Sequence, residues 1–311
     1  MVTIKGKRYM SDYEAKSAIL DIGKRMYTRG FVAANDGNIS CKVGPNAVWA
    51  TPTGVSKGFM KPEMLVKLDL SGKVLQGSYK PSSEIKMHLR VYEENPDVMG
   101  VTHAHPPIAT AFAVAGISLE KPILTEGVLS LGTVPIAKYA TPGTQEVPDS
   151  IAPFVKEYNA VLLANHGALT WGGDIYEAFY RLESVEYYAS LLMYTGNILG
   201  KQNLLSCDQI QVLLDNRVKY GITSGGVPPC NCETTNLTDV VATPGPVVNP
   251  QPVTPLNGVT PIVSPGAHTT GGQPPVGCGC GSIPIEPSKD PAKTKEEIIK
   301  EVVRRVTEKM G

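Results

Sequence analysis

The sequence predicts an α/β domain, a sheet covered by helices, running to about Ile222. Two observations carry that reading. Helix-start signals recur along residues 11–222, and short apolar runs with strand character lie between them. No internal repeat interrupts the pattern.

Ser11, with Glu14 three residues on, forms a capping box opening a helix whose Ala18, Ile19, Ile22 and Met26 share one face; Gly30 stops it. "AVWAT" at 47–51 reads as a strand. In "KPSSEIKMHLRVYEENP", Ser82 and Ser83 sit at the N-terminus of a helix carrying Ile85, Leu89 and Tyr92. "VMGVTHAH" at 98–105 is a strand ended by Pro106 and Pro107, and "AVLLAN" at 160–165 is another. Asp174 with Glu177 opens a long helix bearing Ile175, Ala178, Phe179, Leu182, Val185 and Leu192. Ser206 with Gln209 opens a further helix bounded by Gly221.

Beyond residue 222 the composition changes. Residues 224–289 hold 13 Pro, 10 Gly, no aromatic residue and four charged ones, too little apolar surface to offset chain entropy. The expected organisation is a domain over 1–222, a disordered linker over 223–289, and a short amphipathic helix over 290–311. In that helix Ile298, Ile299, Val302, Val303, Val306 and Met310 recur at helical spacing, and Thr294 with Glu297 forms a capping box.

Composition narrows the function. A formal net charge of zero argues against a nucleic-acid binder and against a membrane-surface protein, both of which need a basic face. The opening "MVTIKGKRYM" has no apolar core of a secretory signal, and no run reaches the length of a membrane span. Six cysteines are too few for a disulfide scaffold, so reduced thiols and a cytoplasmic location are expected. Cys230/Cys232 and Cys278/Cys280 form two C-x-C pairs without C-x₂-C zinc spacing; linker thiols and a bridging metal site both remain open.

The chemistry concentrates in the histidines. In a strand, His103 and His105 project to the same face, and the two prolines place them at an element boundary. Alone, H-x-H is a weak motif. His166, at the end of the 160–165 strand and before Gly167, makes three of the five histidines strand-end residues. Three imidazoles leaving coordination positions open are the form of a catalytic zinc site. His268 falls in the linker, and His88 reads as a helix-face or supporting histidine.

Ser82 and Ser83 either cap their helix or, with its free N–H groups, hold a phosphate. Glu84 is either a dipole-stabilising carboxylate or a general base. "AANDGNIS" (33–40) and "TPTGVSKG" (51–58) place Gly among short polar side chains, as anion-binding loops and simple turns both do.

Taken together, N-D-G-N-I-S, T-P-T-G-V-S-K-G, S-S-E, H-A-H-P and N-H-G, in that order over roughly residues 10–222, resemble the class II aldolase/adducin family, nearest to its L-fuculose-1-phosphate aldolases. The resemblance implies a three-layer α/β/α sandwich with a central, largely antiparallel sheet. It implies His103, His105 and His166 as ligands of one Zn²⁺ per chain and Glu84 as catalytic acid/base. It further implies Asn38, Thr53, Gly54, Ser82 and Ser83 as phosphate-binding positions, and a homotetramer with the active site at the subunit interface. The implied reaction is cleavage of a deoxyketose 1-phosphate, L-fuculose or L-rhamnulose 1-phosphate, to dihydroxyacetone phosphate and L-lactaldehyde. Epimerisation, dehydration or decarboxylation at the same kind of site are alternatives, as is a non-catalytic adducin-like module. One departure is that "PILTEGVL" (122–129) lacks the tyrosine those aldolases take from a neighbouring subunit; the nearest, Tyr139 in "KYATPGT", matches a different part of the pattern, and Thr125 or Glu126 are the candidates for the role. The C-terminal segment resembles the encapsulation peptides that direct enzymes into bacterial microcompartments, which implies shell proteins as partners of 290–311 and a location in the compartment lumen.

Overall fold

The computed structural model describes residues 1–4 and 6–230. The linker predicted over 223–289 lies outside the described residues from 231 onward, as do the predicted helix over 290–311 and residues Cys232, Cys278 and Cys280.

In chain order the elements are a small hairpin, β1 (Val2–Ile4) and β2 (Lys7–Tyr9), then α1 (Asp12–Thr28), β3 (Asn38–Gly44), β4 (Ala47–Ala50), β5 (Val66–Leu68) and β6 (Val74–Gln76). There follow α2 (Ile85–Glu94), β7 (Gly100–Ala104), α3 (Pro107–Ala115), β8 (Ile136–Ala137) and α4 (Glu146–Ile151). The domain closes with β9 (Ala160–Leu163), β10 (Gly167–Gly172), α5 (Ile175–Met193) and α6 (Cys207–Lys219).

The three predicted helix starts are formed as read. Ser11 and Glu14 exchange both capping-box hydrogen bonds at α1, Ser206 and Gln209 do so at α6, and the Asp174 carboxylate accepts from the Glu177 N–H (2.8 Å) at α5. Eight strands form one sheet in the order β6-β5-β4-β3-β7-β10-β9-β8, antiparallel throughout except for the β8–β9 pair. This is the largely antiparallel sheet that the resemblance implied. The predicted strands end earlier than their apolar runs, and further strands arise where none was read. β3 begins inside the loop-like "NDGNIS", β10 continues where Gly167 was taken to break the chain, and the short β5–β6 pair forms the edge.

Side-chain alternation builds two cores, one on each face. Along β9, Ala160 and Leu162 enter a core with α1, α3 and α5; Val161 and Leu163 enter the other, against α2 and α4. Both faces of the central strands are therefore apolar, and helices cover both: three layers. Pro107 does not merely end β7, since it is the first residue of α3, where a missing N–H costs nothing.

Past Ile222 the chain stays on the domain for several residues. Gly225 N–H donates to Glu157 O (2.8 Å), and Arg217 donates to Gly226 O (2.6 Å). That return path brings Cys230 to Cys207 (Cα–Cα 5.5 Å), and the two are paired as a disulfide. Sparse cysteines predicted thiols; the spatial neighbour of Cys230 lies 23 residues back in sequence and is not visible as a local motif.

Candidate metal centre and active site

One end of the sheet gathers the start of β3, the ends of β4, β7 and β8, and the β9–β10 turn, because these strands alternate in direction. His103 pairs in register with Asn38 on one side and Leu169 on the other, on the α2 face of the sheet. His105 follows β7 directly, and His166 sits in the β9–β10 turn after Asn165, which takes the left-handed conformation (φ 58). Ligand-capable atoms of His103, His105 and His166 all lie within 4.8 Å of one another. The imidazoles that the sequence singled out converge.

Each ring is oriented. His103 Nδ1 lies 2.9 Å from the carbonyl of Ala168, which can only accept, so Nδ1 carries the proton and Nε2 presents a lone pair. His105 Nδ1 lies 3.4 Å from Asp36 Oδ2. The Nε2 atoms of both His103 and His105 are buried without a hydrogen-bond partner. Burial holds His103 neutral, its pKa down to about 3. Neutral, orphaned, convergent nitrogen lone pairs are what a divalent metal requires, and the donor set fits.

Glu84 closes the cluster. It stands at the N-cap of α2 rather than inside its first turn, and its side chain makes no capping bond. Its carboxylate instead faces the histidines, 3.1 Å from His166 Nε2 and 3.6 Å from His103 Nε2, and accepts from Asn38 Nδ2 at 2.8 Å. Burial pushes its pKa up, but the His103 and His166 imidazoles and the Asn38 amide outweigh burial and hold it below the ordinary carboxylate range.

The predicted phosphate positions divide. Asn38 Nδ2 also donates to Ser82 Oγ (3.2 Å), which accepts from the Glu84 N–H, so Asn38, Ser82 and Glu84 form one buried knot. Thr53, Gly54 and Ser83 are exposed at the mouth, and the Thr53 N–H is spent on Lys80 O (3.0 Å). The 51–54 and 80–83 segments are tied by the Pro52–Pro81 bridge and by Ser82 N–H donating to Thr51 O (3.2 Å).

Several supporting residues escaped sequence reasoning. Asp36 faces His105. From α5, the Glu186 carboxylate accepts from the Ile108 and Ala109 N–H groups at the start of α3, fixing the chain that leaves His105. Lys57 is buried behind the two glycine-bearing loops. Asp36, inside "AANDGNIS", and Lys57, inside "TPTGVSKG", lay in stretches that the sequence marked without marking these residues; Glu186 acquires meaning only from contacts distant in sequence. His88 is the supporting histidine its position implied: Ser40 Oγ bonds both His88 Nδ1 (2.8 Å) and Tyr92 Oη (2.9 Å). Glu84, His88 and Tyr92, one turn apart along α2 from its N-cap, thus face Asn38 and Ser40 on β3.

Of the candidates for the missing tyrosine, Thr125 borders a depression with Leu205 and Val212 of α6 and its approach, and Glu126 lies with Ser184 and Tyr187 of α5. Tyr139 is 64 % exposed and follows β8, whose Ala137 pairs with Leu163 just before the His166 turn. Gly143 and Thr144 of the same loop border Ser83 and Glu84.

A sheet of this topology, with three imidazoles and a carboxylate at one end, defines an α/β/α sandwich protein with a candidate metal site. The profile of the Class II Aldolase and Adducin N-terminal domain family matches residues 17–193, and the chain belongs to that family. A 3-oxo-tetronate 4-phosphate decarboxylase of Pectobacterium atrosepticum is 31% identical over 207 residues, 65% of this chain and 94% of that protein. A 5-deoxy-D-ribulose 1-phosphate aldolase of Bacillus thuringiensis serovar kurstaki is 33% identical over 208 residues, 66% of this chain and 96% of that protein. The solved structure of an L-fuculose 1-phosphate aldolase superposes with a TM-score of 0.62 at 29% identity, covering 67% of this chain and 97% of that one. Among the described residues no helix is long and apolar enough to cross a membrane.

Proposed function

We propose that this enzyme is a zinc-dependent aldolase that cleaves a deoxyketose 1-phosphate between C3 and C4, with L-fuculose 1-phosphate or L-rhamnulose 1-phosphate as substrate. The observation that carries the reading is the convergence of His103, His105, His166 and Glu84 at one sheet end, with two imidazole Nε2 atoms buried and unpartnered. His103, His105 and His166 would hold a zinc ion there, which would supply Lewis-acid stabilisation of the negative charge that develops on the substrate, so no Schiff-base lysine would be needed.

This chain's residues then divide the remaining work. When the C3–C4 bond breaks, its electrons pass to C3, and Glu84, beside the cluster, delivers and removes the proton at that carbon. Asn38 holds the carboxylate in place through its 2.8 Å bond. Thr53, Gly54, Ser82 and Ser83 hold the substrate phosphate, whose remote binding energy fixes the reacting carbon, and Asn38, which donates to Ser82 Oγ, serves that subsite by fixing Ser82. The proton of the C4 hydroxyl needs an acceptor other than Glu84, and substitution of Tyr139, Thr125 and Glu126 in turn identifies it.

The same reading includes a homotetramer with the site at a subunit interface, which the family resemblance implies. Residues 290–311 are read, from their sequence pattern alone, as a docking helix for microcompartment shell proteins. Fusing 287–311 to a fluorescent protein and co-expressing shell proteins tests this; uniform fluorescence would count against it.

The second reading, favoured by relatives named as decarboxylases, is loss of CO₂ from a 3-oxo acid phosphate, which passes through the same enediolate character. Incubation with each sugar phosphate separates them. Dihydroxyacetone phosphate plus lactaldehyde supports the aldolase, and CO₂ from a 3-oxo-tetronate phosphate supports the decarboxylase. Full turnover by protein stripped of metal would overturn both.

A further inference from the structure

Lys57 is the buried charge that the reaction as described leaves unused. It is 2 % exposed, and its ammonium donates to the backbone carbonyls of Asn35 (2.7 Å) and Val55 (2.8 Å). Those carbonyls belong to the two glycine-bearing loops, 33–37 and 53–56, that border the candidate site from the start of β3 and the end of β4. No carboxylate makes a salt bridge with it among the described residues; Asp36 and Glu84 act on it only at longer range. An ammonium taken out of water and given two neutral acceptors is costly to keep, so a Lys here needs a reason that a Leu or Met would not satisfy.

The charge balance of the site supplies one. The groups assigned to the phosphate, Asn38, Thr53, Gly54, Ser82 and Ser83, are all neutral, and the neighbouring carboxylates Glu84 and Asp36 are negative. The lysines on the rim, Lys80 and Lys86, are exposed to solvent, which leaves Lys57 as the buried cation behind the loops. A phosphate monoester brings close to two further negative charges at neutral pH. Neutral donors satisfy its oxygens but do not offset that repulsion.

We propose that Lys57 is the positioning residue of the phosphate subsite, the fixed positive charge that holds the 33–37 and 53–56 loops in register and offsets the substrate's phosphate from behind them. The geometry gives the mechanism. In a trans peptide the carbonyl and N–H point to opposite sides, so drawing the Val55 carbonyl onto the ammonium turns the Ser56 N–H away from Lys57. The ammonium also polarises that peptide, strengthening its N–H as a donor. Ser56 Oγ, in the same loop, is buried without a hydrogen-bond partner. Burial lowers the Lys57 pKa to about 8, which leaves the group charged at neutral pH.

This inference rests on the sugar-phosphate reading above, so its test carries a separate control. Inorganic phosphate is the probe, measured as a competitive inhibitor of the metal-loaded enzyme and by direct titration calorimetry. Lys57→Met is expected to weaken inorganic phosphate binding and to raise KM for the phosphorylated substrate by about tenfold or more. With zinc in excess, the loss on the corresponding unphosphorylated ketose is expected to be several-fold smaller than the loss on the phosphorylated substrate. Lys57→Arg, which keeps the charge, is expected to recover part of the loss, and it remains informative if Lys57→Met folds poorly. Equal losses on phosphorylated and unphosphorylated substrates, or unchanged phosphate affinity in both variants, would overturn the role. Ser82→Ala is the control for the underlying reading. If neither Ser82→Ala nor the Lys57 variants alter phosphate affinity, the phosphate subsite itself is wrong; if Ser82→Ala alone does, only the role of Lys57 fails.

Discussion

Glu84 Oε1 lies 3.1 Å from Nε2 of His166, one of the three imidazoles gathered at the candidate metal site. Base and ligand set are therefore one knot, and replacing the carboxylate separates proton transfer from metal holding. Glu84→Gln keeps the side-chain shape and the metal site while removing the proton-accepting oxygen. Turnover is expected to fall by roughly 10²–10⁴ with zinc content near one per chain. Steady-state kinetics beside metal analysis checks this, and a variant that loses zinc and activity together would place Glu84 in the ligand set.

Asp36 makes a different prediction. Its carboxylate orients His105 through Nδ1 and makes no ion pair with the other members of the cluster. Asp36→Asn is expected to weaken metal affinity by about 10–100-fold, with near-normal turnover once zinc is in excess. Chelator competition read against activity shows the two effects apart. A variant that binds zinc as the parent does would remove Asp36 from the site.

The contrast between these two residues shows what the sequence could reveal. Glu84 was legible because it lies in S-S-E at a helix start, and His103/His105 because a strand's period of two puts them on one face. His166 was found as a strand end, although it is the turn of a hairpin: a Gly after an apolar run reads equally as a stop or as the first residue of the next strand. Asn38 and Ser40 lie in a strand that reads as a loop, since Asn, Gly, Asp and Ser are turn-formers until neighbouring strands on both sides supply ladder partners. Glu186 carried no signal, because its partner lies 77 residues away, and Lys57 stood in a marked loop whose link to Asn35, 22 residues back, only the fold supplies. The Cys207–Cys230 pair stayed hidden for the same reason.

Gly167 is held by its surroundings rather than by its backbone angles. A Cβ there would stand 2.5 Å from the Ala104 carbonyl oxygen and 2.6 Å from His105 Cδ2. Gly167→Ala therefore pushes on a metal ligand and on the β7–β10 ladder at once. Overpacking of this kind costs about 1–3 kcal/mol, so a Tm lower by several degrees is expected, together with weaker zinc binding. Calorimetry of the metal-free protein isolates the packing cost; an unchanged Tm and zinc affinity would mean that the ring moves freely.

His88 gives the pH dependence its sign. It is fully buried, its Nδ1 is tied to Ser40 Oγ, and burial lowers its pKa to about 3, against 6.5 for an exposed imidazole. In the folded protein it stays neutral down to about pH 3, whereas in the unfolded chain it takes up a proton below about 6.5. Between these values the unfolded state binds more protons, so stability rises with pH and is lost as pH falls, by about 1.4 kcal/mol per pH unit for one such group. The window is set by the depressed folded value: the contribution is complete above about 6.5 and gone only near 3. Titrating Tm of metal-free protein from about pH 7.5 to about 4.5 is expected to show this decline. In His88→Gln, which keeps a polar partner for Ser40, the slope should be shallower by one histidine's share, although the variant starts from a lower Tm. His103, buried and neutral in the same way, keeps its own share in both proteins. Parallel Tm profiles for parent and variant would show that His88 is protonated in the fold, and the Ser40–His88–Tyr92 network would then have to be redrawn around an imidazolium.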